Sequence, residues 1–382
     1  MILRQTAALL VDAYRELNAK KLFWITMMLS GVIVLVMAAL GIDKDGVRFF
    51  GLSLSFIPIN SNSLKPEVFY KLLFSNLGIE VWLSWVATIL ALISTAGTIP
   101  DLISGGAIET LLSKPISRTR LFLTKYTAGL LFVALQVFVF SLGSFLVFGL
   151  RAGLWEPALF LAVPIVVVFF SYLFCVCALI GLLTRSTITS LLVTGLFWVM
   201  LFILNAGDGI LTQFRTMNEM MIDREQDRIQ LMETNTTKVL REQRERDGQP
   251  AADWTPTHDE IIAANPFLRT IADRQATRQK DLNELVFWSD LVYAIKTTLP
   301  KTNETVALLE RDLIDLGELP TPKGDAPDIN TDDDVTIPPD ELTRAIQEKF
   351  RSRPVWWIIG TSLGFESVVL GLCCLIFARR DF

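Results

Sequence analysis

Residues 157–184, PALFLAVPIVVVFFSYLFCVCALIGLLT, decide the fold class of this chain. The stretch carries no charged side chain and exceeds the roughly 20 apolar residues that a helix needs to cross a bilayer. In hydrocarbon, every backbone N–H and C=O group must find its partner within the segment, which favours an α-helix. The sequence therefore predicts a transmembrane helix here.

Five more stretches have the same character, so the pattern extends along most of the chain. They cover roughly residues 22–41, 81–100, 126–150, 187–205 and 355–377. The composition agrees, because 51% of the 382 residues are hydrophobic and only 20% are charged. No small-residue cleavage pattern follows the first stretch, so we expect a span rather than a signal peptide. The predicted fold class is an all-α polytopic membrane protein with six transmembrane helices.

Basic residues at the ends of the predicted helices set the expected orientation. Six spans place the N-terminus, the loop over 101–125, the turn at Arg185 and the C-terminus on one side, and most of the nearby Lys and Arg residues lie there. Such residues are typical of the cytoplasmic side. We therefore expect both termini in the cytoplasm, in a multi-pass protein of the plasma membrane (the bacterial inner membrane) that is surrounded by membrane lipids.

The remaining segments define the expected domains. Residues 1–20 carry one apolar stripe at helical spacing, which predicts either an amphipathic interfacial helix or the start of a longer helix. Residues 21–205 hold transmembrane helices 1–5, and residues 355–382 hold helix 6 and a cytoplasmic tail. Residues 206–354 have a soluble composition, with two long helical stretches separated by a break rich in Pro and Gly. We expect a large, mainly helical extracytoplasmic insertion between helices 5 and 6, built on an antiparallel helical hairpin.

A short charged segment lies between the second and third predicted spans. It reads GGAIETLLSKPISR over residues 105–118, within the loop at 101–125. Its mixture of apolar and charged residues is typical of a helix at the membrane surface that offers a polar face to a cytoplasmic partner. Pro115 would end such a helix before the next span begins. The alternative is an ordinary basic loop that contains an amphipathic helix.

This segment resembles the coupling-helix region of the permease subunits of type-2 ABC transporters (ABC-2 type). The matching residues are Glu109, Leu111, Leu112, Pro115, Ser117, Arg118 and Lys125. The six-span layout fits the same family, whereas the insertion over 206–354 is longer than the corresponding region of many relatives. In that family the segment docks on a separate ATPase subunit. The resemblance implies that the residues coupling this chain to an ATPase are Glu109, Thr110, Leu112, Lys114, Pro115, Ser117, Arg118 and Arg120.

The resemblance also implies a function and a set of partners. The chain would be the membrane-spanning permease subunit of an ATP-driven transporter, more often an exporter than an importer in this family. A second permease chain, identical or different, would complete the pathway, and ABC ATPase subunits would bind the loops over 101–125. The chain has no Gly-x-x-x-x-Gly-Lys-[Ser/Thr] phosphate-binding loop. We therefore expect ATP and Mg²⁺ on the partner ATPase and no cofactor on this chain.

Other chemistry finds little support in the sequence. The single histidine, His258, does not belong to a His-Glu-x-x-His zinc motif, and all four cysteines lie inside predicted spans. We therefore expect no catalytic residues and no metal site. The net charge of −5 comes mostly from residues 206–354, and no basic patch with interleaved aromatics occurs, so we expect no nucleic-acid partner.

One carboxylate lies in an unusual place. Glu366 falls near the middle of the last predicted span, where an acidic side chain is costly and usually faces a cavity or a partner helix. It is a candidate intramembrane polar site, with Gln136 of the third span as its candidate neighbour. The alternative is a protonated or hydrogen-bonded glutamate that serves helix packing alone.

The sequence is compatible with three classes of function. The first is the permease, with a variant in which an ABC-type mechanotransmission subunit moves an extracytoplasmic protein partner and transports nothing. The second is a non-transporting membrane sensor or scaffold. The third is a membrane-embedded enzyme, which the lack of clustered catalytic residues disfavours. Co-purification with an ATPase would separate the first class from the other two, and the permease is the leading hypothesis.

Overall fold

The computed structural model of the chain describes residues 11, 15, 21–44, 46–50, 52–53, 64–104, 117–250, 254–314, 329–330 and 336–379. The interfacial helix predicted over residues 1–20 therefore lies outside the described residues, apart from two isolated positions. The segment over 105–116 and the end of the chain beyond Arg379 also lie outside them.

Six helices within the described residues are long and apolar enough to cross a membrane, which confirms the predicted number of spans. They are Lys21–Ala39, Pro66–Ile103, Arg118–Ala152, Pro157–Thr184, Thr187–Arg246 and Trp356–Arg379. Three of them are longer than the sequence predicts. The second begins well before residue 81, the third begins at Arg118 rather than near residue 126, and the fifth continues far beyond residue 205. No proline interrupts the added residues, and strong helix formers follow the apolar part of the fifth.

The described elements follow one another in this order: α1 Lys21–Ala39, β1 Leu40–Asp43, β2 Gly46–Phe49, β3 Leu52–Ser53, α2 Pro66–Leu73, a π-helical segment Phe74–Ala87, α3 Thr88–Thr95, α4 Thr98–Ser104, α5 Arg118–Ala152, a 3-10 segment Pro157–Leu161, α6 Ala162–Thr184, α7 Thr187–Arg246, α8 His258–Ala264, α9 Pro266–Thr298, α10 Thr302–Leu313, β4 Ile329–Asn330, β5 Thr336–Ile337, α11 Pro339–Arg351, a second π-helical segment Trp356–Gly360, and α12 Thr361–Arg379. The strands β1, β2 and β3 form a small antiparallel sheet, and β4 pairs antiparallel with β5.

The chain folds into two compact units. The first unit contains Met1–Ile203, Lys296–Pro320 and Arg353–Phe382, and the second contains Leu204–Ile295 and Thr321–Ser352. The second unit is smaller than the domain predicted over 206–354, because Lys296–Pro320 belongs to the first unit.

Helix α6 lies at the centre of the first unit. It is apolar on all sides, and a helix of that kind has to be buried; it packs against α5, α10 and α12. Its Phe174 ring stacks on Tyr126 of α5 with the ring centroids 4.9 Å apart. Gly129, one turn further along α5, leaves the space for that ring, since a Cβ atom at this glycine would lie 2.8 Å from it. A close contact between α5 and α6 therefore depends on this one small residue.

Helix α10 joins the first unit because its amphipathic sequence buries one face there. Leu308, Leu309 and Leu313 are buried on that face, and α10 packs against α6 and both π-helical segments. An ion-pair network holds its first turn, in which Glu304 pairs with Lys296 at the end of α9 and with Arg353 at 3.1 Å. Apolar burial and paired charges together account for the difference from the predicted domain boundary.

Lys301 precedes α10 and is buried almost completely, with 1% of its surface exposed. Its ammonium donates to the backbone oxygens of Thr297 and Leu299, at 3.4 and 3.2 Å, and to the hydroxyl of Thr361. It also lies 4.5 Å from the centroid of the Trp357 ring, within the range of a cation–π contact. Burial lowers the pKa of Lys301 to about 8, because the charged form loses solvation, and the nearby Glu304 only partly offsets this.

The second unit contains the predicted hairpin. Arg215 on α7 lies 3.8 Å from Asp290 on α9, and Glu225, further along α7, lies 3.4 Å from Arg278, which is earlier on α9. The order of these partners is reversed between the two helices, so α7 and α9 run antiparallel along these contacts. A small apolar core around Met221, with Ile337 and Leu342, attaches β5 and α11 to the hairpin.

We expect replacement of the buried Leu309 by alanine to reveal the packing of α10. Leu309 is 1% exposed, so Leu309→Ala should lower the free energy of unfolding by about 2–5 kcal/mol through lost burial and the cavity left behind. The control is Leu150→Ala, at a position that is 79% exposed, where the change should stay within about 0.5 kcal/mol. Thermal unfolding of the purified protein measures both, and equal losses would contradict the packing of α10 against the bundle.

The buried Lys301 should make stability depend on pH in the alkaline range. In the unfolded chain a lysine keeps its proton up to about pH 10.4, whereas folding lowers the pKa of Lys301 to about 8. Between these values the unfolded state binds more protons, so folding should become more favourable as the pH rises from 8 towards 10.4. Lys301→Met should reduce this rise. Thermal unfolding at pH 7.5 and pH 10 measures this rise in stability. The control is Lys238→Met, at an exposed lysine. Identical pH profiles for the wild type and both variants would exclude a contribution of Lys301.

Candidate functional site

The structure describes three of the eight predicted coupling residues. Glu109, Thr110, Leu112, Lys114 and Pro115 lie outside the described residues. The others are described: Ser117, Arg118 and Arg120 lie at the start of α5. Ser117 has an extended backbone with φ −67° and ψ 141°, and its carbonyl accepts the bond from the Leu121 N–H at 3.1 Å, so the helix begins at the next residue.

Both ends of the segment over 105–116 are attached to the core of the first unit. Before it, α4 packs against α5 and α6, with Leu102 buried. After it, Phe122 of α5 is fully buried and lies 5.8 Å from the ring of Phe377, near the end of α12. Any group that binds the segment therefore acts on helices that are packed tightly to the rest of the bundle.

The first turn of α5 is basic. Arg118 and Arg120 both lie in it, half-buried, and no acidic residue does. The N-terminal end of a helix carries a partial positive charge, so each cation there costs roughly 0.3–1 kcal/mol at an exposed site. A basic first turn suits an anionic surface, such as the carboxylates of a protein partner or lipid phosphates.

Glu366 lies inside the bundle and joins three helices. It is 7% exposed on α12, and its two carboxyl oxygens each lie 2.8 Å from a hydroxyl oxygen. Tyr126 of α5 contacts Oε1 and Ser171 of α6 contacts Oε2. The carboxyl group is therefore satisfied by hydroxyl groups rather than by a cation, among the interactions that the described residues show.

Both hydroxyl groups also have a second acceptor. The Tyr126 hydroxyl lies 3.0 Å from the carbonyl oxygen of Ser171, and the Ser171 hydroxyl lies 2.8 Å from the carbonyl oxygen of Val168. Two hydroxyl hydrogens are thus shared among four acceptor oxygens. Removing the Glu366 carboxyl would leave each hydroxyl with a partner, whereas removing the hydroxyls would leave a buried carboxyl without donors. The carboxyl depends on its neighbours more than they depend on it.

Gln136 is not part of this network. It lies ten residues after Tyr126 on α5, which is about 15 Å along the helix axis. It lines a separate small cavity beside Thr26, Ser30 and Thr88. Its Nε2 has no hydrogen-bond partner among the described residues. The two polar residues that the sequence suggests as neighbours are therefore at different depths of the bundle.

One further sequence pattern turns out to be structural. Residues 360–364 read GTSLG, the Gly-x-Ser-x-Gly spacing of hydrolase nucleophiles, but Ser362 lies within a helix rather than on a strand-to-helix turn. Its hydroxyl donates to the carbonyl oxygen of Ile358 at 2.6 Å and accepts the backbone N–H of Lys301 at 3.0 Å. Ser362 therefore connects the chain before α10 to α12.

Sequence reasoning did not identify Tyr126 and Ser171 as partners of Glu366. A tyrosine and a serine inside predicted spans are a usable signal, because a buried hydroxyl requires an acceptor. Their pairing with Glu366 depends on how α5, α6 and α12 are rotated about their axes, which no local pattern reveals. Among the described residues no group of three His, Cys, Asp or Glu side chains could hold a metal ion.

No protein-family profile, curated protein or solved structure matches this chain. A function is therefore inferred from the residues and geometry of the chain itself and from the motif resemblance.

The Glu366 network predicts an asymmetric response to mutation. Glu366→Leu should change the free energy of unfolding by less than about 1 kcal/mol, because both hydroxyls keep a backbone acceptor. The double variant Tyr126→Phe/Ser171→Ala should destabilise the protein by roughly 1–3 kcal/mol for each donor lost, since the buried carboxyl remains. Thermal unfolding of the purified protein measures both effects.

A third variant controls for the loss of a buried hydroxyl. The Ser141 hydroxyl is also fully buried but has no hydrogen-bond partner in the described part of the chain, so Ser141→Ala should be close to neutral. If Glu366→Leu destabilises the protein as much as the double variant, the carboxyl serves packing and the asymmetry is refuted.

Proposed function

We propose that the chain is the membrane-spanning permease subunit of an ATP-driven ABC transporter, of the exporter type, coupled to a separate ATPase through the loop over 101–125. The observation that carries the proposal is the charged motif at 105–118, placed between two spans whose adjoining helices, α4 and α5, pack on the core helix α6. ATP and Mg²⁺ belong to the partner, because this chain lacks a phosphate-binding loop.

The charge pattern supports a protein partner at this loop. Glu109 and Lys114 in the motif, with Arg118 and Arg120 in the first turn of α5, offer both signs of charge within a short stretch. Complementary charges at an interface mainly set the register and the choice of partner. A loop that served only the orientation of the protein would need the basic residues but not the glutamate.

The packing offers a route by which closure of the ATPase subunits would act on the helices of the bundle. A displacement of the segment would act first on α4 and on the start of α5, where Phe122 contacts Phe377 of α12. About one turn further along α5, the hydroxyl of Tyr126 donates a hydrogen bond to Glu366 of the same helix α12. Nucleotide-driven closure of two ATPases would thus bias a bundle in which α5, α6 and α12 share one polar contact. In this proposal Glu366 belongs to the element that changes state.

The proposal includes a membrane orientation and an assembly. The loop over 101–125 and both termini face the cytoplasm of a bacterium, and the second unit is extracytoplasmic. Two permease chains form the pathway in the lipid bilayer, each with one ATPase subunit.

A second candidate function has its own supporting observation. Helix α7 is a single helix of 60 residues, of about 90 Å, that runs from a span into the second unit. A continuous helix of that length suits a mechanotransmission subunit, in which ATPase closure moves an extracytoplasmic protein partner and nothing crosses the membrane. Both functions require the same coupling to an ATPase.

Capture of partners from the native membrane tests the coupling. The full chain, extracted in a mild detergent, should retain a stoichiometric P-loop ATPase. Arg118→Glu and, separately, Glu109→Lys should each reduce the retained ATPase at least tenfold, because like charges at an interface cost several kcal/mol. Immunoblotting and mass spectrometry of the purified complex provide the measurement.

The control is Arg379→Glu, which reverses an exposed charge at the end of α12, on the same predicted side of the membrane. It should leave the amount of ATPase unchanged, and all variants should keep the unfolding temperature of the wild type. Full retention of the ATPase by both motif variants would refute the coupling segment. Retention of an extracytoplasmic ligand and no ATPase would instead favour the sensor or scaffold.

A further inference from the structure

A cavity of about 240 Å³ lies in the first unit, at a place that the coupling proposal does not use. The π-helical segment Phe74–Ala87, α6, α7 and α10 enclose it. Its size is slightly below the roughly 300 Å³ at which small-molecule sites begin, so it suits a compact ligand.

One wall of the cavity is acidic and polar. Glu80 of the π-helical segment and Glu310 of α10 both line it, together with the amide of Asn303. No lysine, arginine or histidine is among the described residues that line it. Two carboxyl groups in a lining that has no basic side chain among the described residues favour a cation over an anion.

The lining of the cavity is also aromatic. The rings of Trp85 and Trp198 stack with their centroids 4.9 Å apart and their planes at 23°. Phe202 meets Trp85 edge-on at 5.5 Å, and Phe169 meets Trp198 in the same way at 6.2 Å. Aromatic faces attract cations, tryptophan most strongly, and this attraction increases when the cation is desolvated.

A buried hydroxyl in the lining has no hydrogen-bond partner among the described residues. Ser84 is 7% exposed and lines the cavity, and its Oγ has no hydrogen-bond partner among the described residues. A buried hydroxyl without a partner costs free energy, so a group that binds in the cavity would recover it. This observation is independent of the charges and the aromatic rings.

The π-helical winding brings these side chains together. Five residues separate Ser75 from Glu80, which in an α-helix would place them about 140° apart around the axis. Hydrogen bonds from residue i to residue i+5 widen each turn, so that both residues, with Ser84 and Trp85, line the same cavity. π-Helical turns are rare and are frequently found at functional sites.

We propose that this cavity binds a small organic cation. Its ammonium group would lie between the carboxylates of Glu80 and Glu310 and the faces of the two tryptophans, and its apolar body would contact Phe169 and Phe202. The proposal deepens the proposed permease function by naming a class of ligand, and its transport rests on that function. Binding of the cation by the chain alone does not depend on the permease function.

Equilibrium dialysis of the full chain in lipid nanodiscs tests the proposal, without any ATPase present. The probe is radiolabelled benzylamine, which is a cation at neutral pH and carries N–H donors for Ser84, with benzenesulfonate as the anion of similar size and empty nanodiscs as the blank. We expect saturable binding of the cation, none of the anion, and displacement of the cation by excess unlabelled probe.

Matched variants locate the site. Glu80→Gln and Trp85→Leu should each weaken cation binding at least tenfold, and both residues are exposed enough for the variants to fold. Glu67→Gln, on the preceding helix α2, and Trp356→Leu, at a tryptophan that is 71% exposed, should bind like the wild type. Equal weakening by the control variants would overturn the proposal.

The remaining outcomes separate this proposal from the permease proposal. Absence of saturable cation binding to the wild type, or equal binding of the anion, would refute the cation site while leaving ATPase capture untouched. Cation binding by a chain that captures no ATPase would support the site and refute the transporter.

Discussion

The structure depends first on the requirement that backbone hydrogen bonds be closed within each apolar segment. A span in hydrocarbon has no water to accept its N–H and C=O groups, so each of the six apolar stretches has to be helical. The same requirement makes α6 the centre of the first unit, because it is apolar all round and packs against α5, α10 and α12. The other helices arrange their small and aromatic residues around it, as the contact of Gly129 with Phe174 shows.

A bundle of this kind can hold polar groups only where partners lie on other helices. Glu366 meets this condition through Tyr126 and Ser171, and Glu304 meets it through Lys296 and Arg353 at the start of α10. The two networks differ in character. The pairs of Glu304 attach a helix to the bundle, whereas both hydroxyls at Glu366 have other acceptors. In the proposed permease, this carboxyl would belong to the element that changes state.

The two proposed sites use different elements of the first unit. The coupling segment joins α4 to α5, and the acidic aromatic cavity lies between the π-helical segment, α6, α7 and α10. Helix α6 contacts both regions, since α4 and α10 each pack against it. A transporter needs such an arrangement, because energy enters at one surface and a ligand binds at another. The physical link between them would be a rotation or a shift of rigid helices around a common core.

The sequence alone determined the number of spans and the antiparallel hairpin, because hydrophobic runs and helix breakers act over a few residues. It also supplied the motif at 105–118, most of which lies outside the described residues. Only the tertiary structure decided which polar side chains meet. Tyr126 and Glu366 are 240 residues apart, and their contact depends on how α5 and α12 are rotated and staggered. For the same reason Gln136 did not join Glu366, α10 docked on α6, and Glu80, Glu310 and two tryptophans came to line one cavity. Local periodicity gives the face of a helix, but the neighbour of that face is set by packing.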